Sequence, residues 1–234
     1  MGVALLTAAW LLAGLACAFT ADGEGPFGGN DEPTPVPGDM LSFSTPLYSA
    51  SLSPGERVPG TQMVYVGRDG NVYNVSLDGL AAAKRAGDSF AWKGVIAPGV
   101  IGNYNLRISP TFISDDILVG GPVEITIFNP IPVELDPSIP LEGPIRFDNL
   151  PVEFSVPAGG RVPGATLTYV GQADQGAQLG GTSGYPYRAL GDSLIWAGRL
   201  RGDVSVRYSL RVATLSEDRL RLVGTAEVWV TPAG

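Results

Sequence analysis

Shifting the chain by 104 residues lays 41–111 onto 145–215 without a gap, and about 19 of roughly 71 aligned positions are identical. A unit of about 100 residues that occurs twice is too long for a solenoid repeat and suits a self-contained β domain. The identities fall in blocks. Arg57-Val58-Pro59-Gly60 recurs as Arg161-Val162-Pro163-Gly164, and Tyr65-Val66-Gly67 as Tyr169-Val170-Gly171. Gly87-Asp88-Ser89 with Trp92 and Gly94 recurs as Gly191-Asp192-Ser193 with Trp196 and Gly198. Tyr104-x-Leu106-Arg107 recurs as Tyr208-x-Leu210-Arg211, and after a one-residue slip Gly121-x-x-Glu124 aligns with Gly224-x-x-Glu227.

Each copy reads as strands. Val204 to Val212 alternates apolar and polar residues, as does Tyr104 to Ile108 in the first copy. Period two places one face in a core and the other in water. Val123 to Ile127 and Ala226 to Val230 close the two copies in the same way. Thr61 to Val66 is a further strand, and Arg68-Asp69-Gly70-Asn71 after it signals a tight hairpin. About six to eight strands per copy must pair into two sheets that pack face to face. The best helical stretch is Leu80 to Ala86, about two turns closed by Gly87. High Gly (32) and Pro (20) content fits a chain punctuated by turns. The fold class expected is therefore all-β, with two tandem β-sandwich domains at 41–129 and 141–232. Between them, residues 130–140 carry four prolines and read as an extended, semi-rigid connector.

The first 19 residues read as a signal peptide or lipoprotein leader. Val3 to Phe19 is uncharged and apolar, slightly short for a stable span. Gly14-Leu15-Ala16-Cys17 resembles a lipoprotein signal, which makes Cys17 the expected lipidation site. Ala16-Cys17-Ala18 also satisfies ordinary signal-peptidase cleavage, and a leader that stays uncut is the third course. Residues 20–40 are Gly, Pro and acid with little apolar content, and read as a disordered linker.

Composition narrows function. The chain has no histidine, which removes Ser-His-Asp and Cys-His catalysis and every His-ligated metal site. One cysteine allows no intrachain disulfide. A formal net charge of −8 repels phosphate backbones, so no nucleic-acid partner is expected. Calcium is the one metal to weigh, at Asp69, Asn71 and Asp78 or at Asp115-Asp116, but no spaced Asp-x-Asp-x-Asp loop exists and these acids differ between copies. No metal site, no cofactor and no catalytic residue are expected, and the acid pairs that glycoside hydrolysis needs are not set apart from the rest.

The remaining candidates divide into structural and binding residues. Trp92 and Trp196 read as core tryptophans. Arg57 and Arg161 sit in Pro-Gly corners, while Asp88 and Asp192 cap Gly-Asp-Ser turns. A repeated Arg and a repeated Asp suggest one ion pair per copy, Arg57–Asp88 and Arg161–Asp192. The copies diverge most at residues 176–188, a Gly-rich stretch ending in Tyr185, Tyr187 and Arg188. Loop tyrosines make contact at low entropic cost. With Trp229, expected on the outer face of the last strand, these three are the candidate ligand-binding residues. Arg201-Gly202-Asp203 matches a cell-adhesion tripeptide, a match too short to carry weight.

The recurring Arg-Val-Pro-Gly, Tyr-Val-Gly and Gly-Asp-Ser-x-x-Trp blocks resemble the immunoglobulin-like repeat modules of bacterial cell-surface proteins, over residues 41–232. No Cys-Trp-Cys trio is present, so the pattern departs from antibody-type domains. The resemblance implies immunoglobulin-like sandwiches in an extracellular spacer, adhesion or assembly role, and no catalytic residue. The expectation is a non-enzymatic, exported protein of the cell envelope, membrane-anchored through its N-terminal segment, whose partner is another envelope protein. The alternative is a pair of carbohydrate-binding modules for a surface glycan.

Overall fold

The computed structural model describes residues 40–111, 114–136 and 138–232. The expected leader at 1–19, Cys17 and the linker up to residue 39 lie outside them. The described residues are all-β, with no helix among them. The first copy contributes β1 (Met40–Leu52), β2 (Met63–Asp69), β3 (Val72–Leu77), β4 (Leu80–Lys84), β5 (Ser89–Ala97), β6 (Val100–Pro110) and β7 (Ile117–Phe128). The connector contributes β8 (Val133–Glu134). The second copy contributes β9 (Ile145–Pro157), β10 (Thr168–Ala173), β11 (Gly176–Gly180), β12 (Tyr187–Arg188), β13 (Ser193–Arg201), β14 (Val204–Leu215) and β15 (Arg219–Val230).

Four antiparallel sheets result. The first copy forms a large sheet, β1-β7-β6-β5, and a small one, β2-β3-β4. The second repeats the plan with β9-β15-β14-β13 and β10-β11-β12, and adds β8 beyond β13. This arrangement is compatible with a β-sandwich in each copy. Alternation sets the faces: in β14, Val204, Val206, Tyr208, Leu210 and Val212 are buried, whereas Ser209 and Arg211 face water.

The blocks of identity mark the points where the backbone departs from a plain ladder. Arg-Val-Pro-Gly is a turn in both copies: Val58 and Val162 are buried, and Gly60 and Gly164 take φ of 79° and 68°. Tyr-Val-Gly is a β-bulge in both, between Tyr65 and Gly67 and between Tyr169 and Gly171. Each bulge tyrosine is buried and donates its hydroxyl proton to a loop carbonyl, Tyr65 to Asp115 and Tyr169 to Ser216. Trp92 lies opposite Tyr104 and Trp196 opposite Tyr208, the same cross-strand pair twice.

Two segments take a form that local sequence did not settle. The best helical stretch of the sequence, Leu80 to Ala86, is strand β4 and the turn after it. Asp78 and Gly79 both have positive φ, 51° and 82°, which is the geometry of a two-residue hairpin that lays Leu80 against Leu77. Seven residues offer too little helix to outweigh that pairing. The connector also differs from a simple spacer, since β8 pairs with the edge of β13.

The copies meet along an apolar seam. Phe147 of β9 lies 6.3 Å from Tyr104 and 6.1 Å from Tyr48 of the first copy. Phe43 of β1 lies 6.2 Å from Tyr208 of the second. Leu41 and Ile145, also 104 apart, cover Gly164 and Gly60 respectively. One buried apolar cluster therefore runs through both copies.

Candidate functional site

The divergent stretch 176–188 holds three of the four residues expected to bind, Tyr185 in the loop between β11 and β12 and Tyr187 and Arg188 in β12 itself. Tyr185 is 64% exposed, and its ring meets that of half-buried Tyr187 edge to face at 5.5 Å. Arg188 turns back on its own loop. Its Nη1 donates to the carbonyls of Tyr185 and Tyr187, while β12 is tied to β11 through Ala177–Arg188 and Gln178–Tyr187. The structure thus brings Tyr185, Tyr187 and Arg188 together. It uses Arg188 as a brace and leaves Tyr185 as the projecting ring.

Trp229 departs from its expected role. It does point to the outer face of β15, yet it is 6% exposed. The guanidinium groups of Arg146 and Arg207 lie over its ring at 5.4 and 5.8 Å. Both arginines are held there by Glu227, at 3.0 and 3.7 Å, and Asp148 binds Arg146 at 2.6 Å. A ring covered this way presents little surface to solvent. The first copy has no such cover: Ser42 and Thr126 hydrogen-bond each other across its outer face at 3.1 Å.

The structural residues sort cleanly. Trp92 and Trp196 are buried, and their Nε1 groups donate to Asp78 Oδ1 at 2.8 Å and Thr166 Oγ1 at 3.0 Å. Asp88 accepts the Arg85 amide at 2.8 Å and Asp192 the Ala189 amide at 2.7 Å, the local caps that Gly-Asp-Ser turns require. The ion pairs Arg57–Asp88 and Arg161–Asp192 are not formed: neither is within the 4.0 Å of a salt bridge among the described residues. Those carboxylates are spent on backbone amides, and Arg57 and Arg161 stand in isolated bridges to Val64 and Thr168 with their side chains exposed.

The acids weighed for calcium are dispersed. Asp69 and Asn71 flank the β2–β3 turn, Asp78 sits in the β3–β4 turn, and Asp116 accepts the Ser114 hydroxyl at 2.9 Å. Among the described residues no group of three or more Cys, Asp or Glu is gathered for a metal ion. The Arg201-Gly202-Asp203 tripeptide serves the seam, since Arg201 Nη1 donates to the Phe128 carbonyl of the first copy at 2.8 Å.

Sequence reasoning did not place the connector as a strand on a sheet edge. On β13, Ile131 donates its amide to the Leu200 carbonyl at 2.7 Å and Leu135 donates to Ala197 at 3.0 Å. Val133 stands opposite Arg199 and Glu134 opposite Gly198. The equivalent edge, β5, pairs only with β6 among the described residues. Beside it lies a cleft of about 410 Å³ lined by Arg57, Gln62, Val95, Ile96 and Pro98. The signal was the alternation Ile131-Pro132-Val133-Glu134-Leu135 inside a stretch that prolines made look like a spacer. Comparison with protein-family models, curated proteins and solved structures finds no match to this chain.

Proposed function

We propose that this chain is a non-enzymatic, exported protein, tethered to the envelope through Cys17, in which two immunoglobulin-like sandwiches bind another envelope protein. The observation that carries this reading is the connector strand on β13. It shows in miniature how such a sheet takes up an extended chain, by main-chain hydrogen bonds that need no special side chains. The seam supports it as well, because a partner bound at one copy is held at a fixed geometry to the other. The lack of histidine and the scatter of the acids over separate turns favour binding over catalysis.

Photo-cross-linkers placed at Lys93, Leu118, Tyr185 and Ile195 in the living cell test it. The expected result is a covalent adduct to an envelope protein from some of these positions and not from others. Adducts from every position alike, or from none, overturn the reading.

A glycan-binding role is favoured by one observation, the exposed ring of Tyr185 beside Tyr187. With Trp229 covered, that role rests on a single projecting aromatic.

A further inference from the structure

We propose that the edge of β5 takes up an extended, proline-bracketed peptide segment bearing a carboxylate, bound as an added antiparallel strand. This rests on the protein-binding reading above and names its site and the chemistry of its ligand.

The internal repeat supplies the template. Ala197, Gly198, Arg199 and Leu200 of β13 correspond, at the offset of 104, to Lys93, Gly94, Val95 and Ile96 of β5. Both strands carry the same register shift, between Val95 and Ala97 and between Arg199 and Arg201, so their outward backbone groups are disposed alike. The carbonyls of Lys93 and Ile96 therefore stand where those of Ala197 and Leu200 accept the Leu135 and Ile131 amides.

The template also states the ligand's side chains. Glu134 sits opposite Gly198 and accepts the Thr166 hydroxyl at 3.4 Å. The counterpart of Thr166 in the first copy is Gln62, which lines the cleft beside β5 together with Arg57. Arg57 is exposed and makes no ion pair among the described residues. Lys93, also exposed, replaces Ala197. Arg57 thus lies on the side that Glu134 takes in the template and Lys93, next to Gly94 in the strand, on the opposite face; on a chain whose formal charge is −8 both cations favour an acidic strand. Charge also argues against a second copy pairing β5 to β5, since that would bring like charges together on adjacent strands. Prolines at the first and third positions of the ligand remove two of its outward amides, which weakens pairing with a further strand.

The probe is an acetylated, amidated peptide copying residues 130–136, Pro-Ile-Pro-Val-Glu-Leu-Asp, labelled with a fluorophore and titrated with the full-length protein. Saturable binding is expected, weakened roughly tenfold when the peptide glutamate is replaced by glutamine. N-methylation of the peptide leucine amide, which removes one strand hydrogen bond without touching the protein, is expected to abolish it. On the protein side, Val95→Pro blocks the edge and Arg57→Glu repels the acid; circular dichroism checks that each variant is folded. No saturable binding, binding that survives N-methylation, or a self-associating protein whose dimer Val95→Pro abolishes would each overturn the proposal. Position-specific envelope adducts in the cell without peptide binding would sink this site while leaving the protein-binding reading standing.

Discussion

The ring of Phe43 in the first copy packs 6.2 Å from that of Tyr208 in the second, and the same pair recurs in reverse as Phe147 on Tyr104 at 6.3 Å. Residues 104 apart exchange places across the seam, so the contact is self-complementary, as in a two-fold dimer. Neither copy can melt without exposing apolar surface of the other. A single calorimetric transition is expected for the whole unit, and two resolved peaks would contradict the shared seam. Phe147→Ala should cost about 3–5 kcal/mol, measured as a lowered urea midpoint.

Tyr104 and Tyr208 are equivalent, yet their hydroxyls are not. Tyr104 donates to the Pro59 carbonyl at 3.1 Å, whereas the Tyr208 hydroxyl is buried with no hydrogen-bond partner among the described residues. Tyr104→Phe should therefore lose about 1 kcal/mol, and Tyr208→Phe should be neutral or stabilising. Equal destabilisation in urea titrations of the two variants would show that the difference between the hydroxyls is not real.

Burial pushes the Tyr48 hydroxyl up to about 12, and it drives Tyr104 and Tyr208 in the same direction. The folded state thus binds these protons more tightly than the unfolded chain, whose tyrosines titrate near 10. The resulting stability is fully present below about pH 10 and drains away as pH rises towards 12. The melting temperature should be flat near neutrality and fall above pH 10, with tyrosinate absorbance rising together with unfolding. Tyrosinate that appears in full before unfolding would contradict the burial of these rings.

Trp196 anchors the second copy. It is 2% exposed, stacks on Tyr208 at 5.8 Å, and bonds the loop at Thr166. Trp196→Ala should cost about 3–5 kcal/mol. An unchanged urea midpoint would remove this tryptophan from the core.

What could be read from the sequence follows from locality. Alternation in β6 and β14 and the turns at Gly60 and Gly164 depend on neighbours in the chain, and the offset of 104 doubled each signal. β4 was lost because Leu80 to Ala86 is Ala-rich, while the Asp78-Gly79 turn that decides its fate was weighed only for calcium. β8 was lost because its hydrogen bonds run to β13, some 60 residues away. Trp229 was misjudged because alternation gives the face of a strand and not what lies across it. Arg146 and Arg207 come from two other strands, and only their convergence closes the ring off. The expected Arg–Asp pairs failed for a local reason: a carboxylate in a Gly-Asp-Ser turn has an amide three residues before it and no need of a distant cation.

Trp229 and Tyr185 separate stability from glycan recognition. Trp229 is wedged under two guanidinium groups on a sheet face laced by Glu227 and Asp148, so Trp229→Ala should lower stability by exposing that face and leave glycan retention unaltered. Tyr185→Ala removes an exposed ring at a loop tip and should cost under 0.5 kcal/mol. On a glycan array the protein-binding reading expects no specific retention from either variant or from the parent chain. Retention by the parent that Tyr185→Ala abolishes, with the urea midpoint unchanged, would transfer the function to the loop and to carbohydrate. Retention lost only with Trp229→Ala would require the arginines to swing off the ring, which Arg207→Ala would then mimic by enhancing binding.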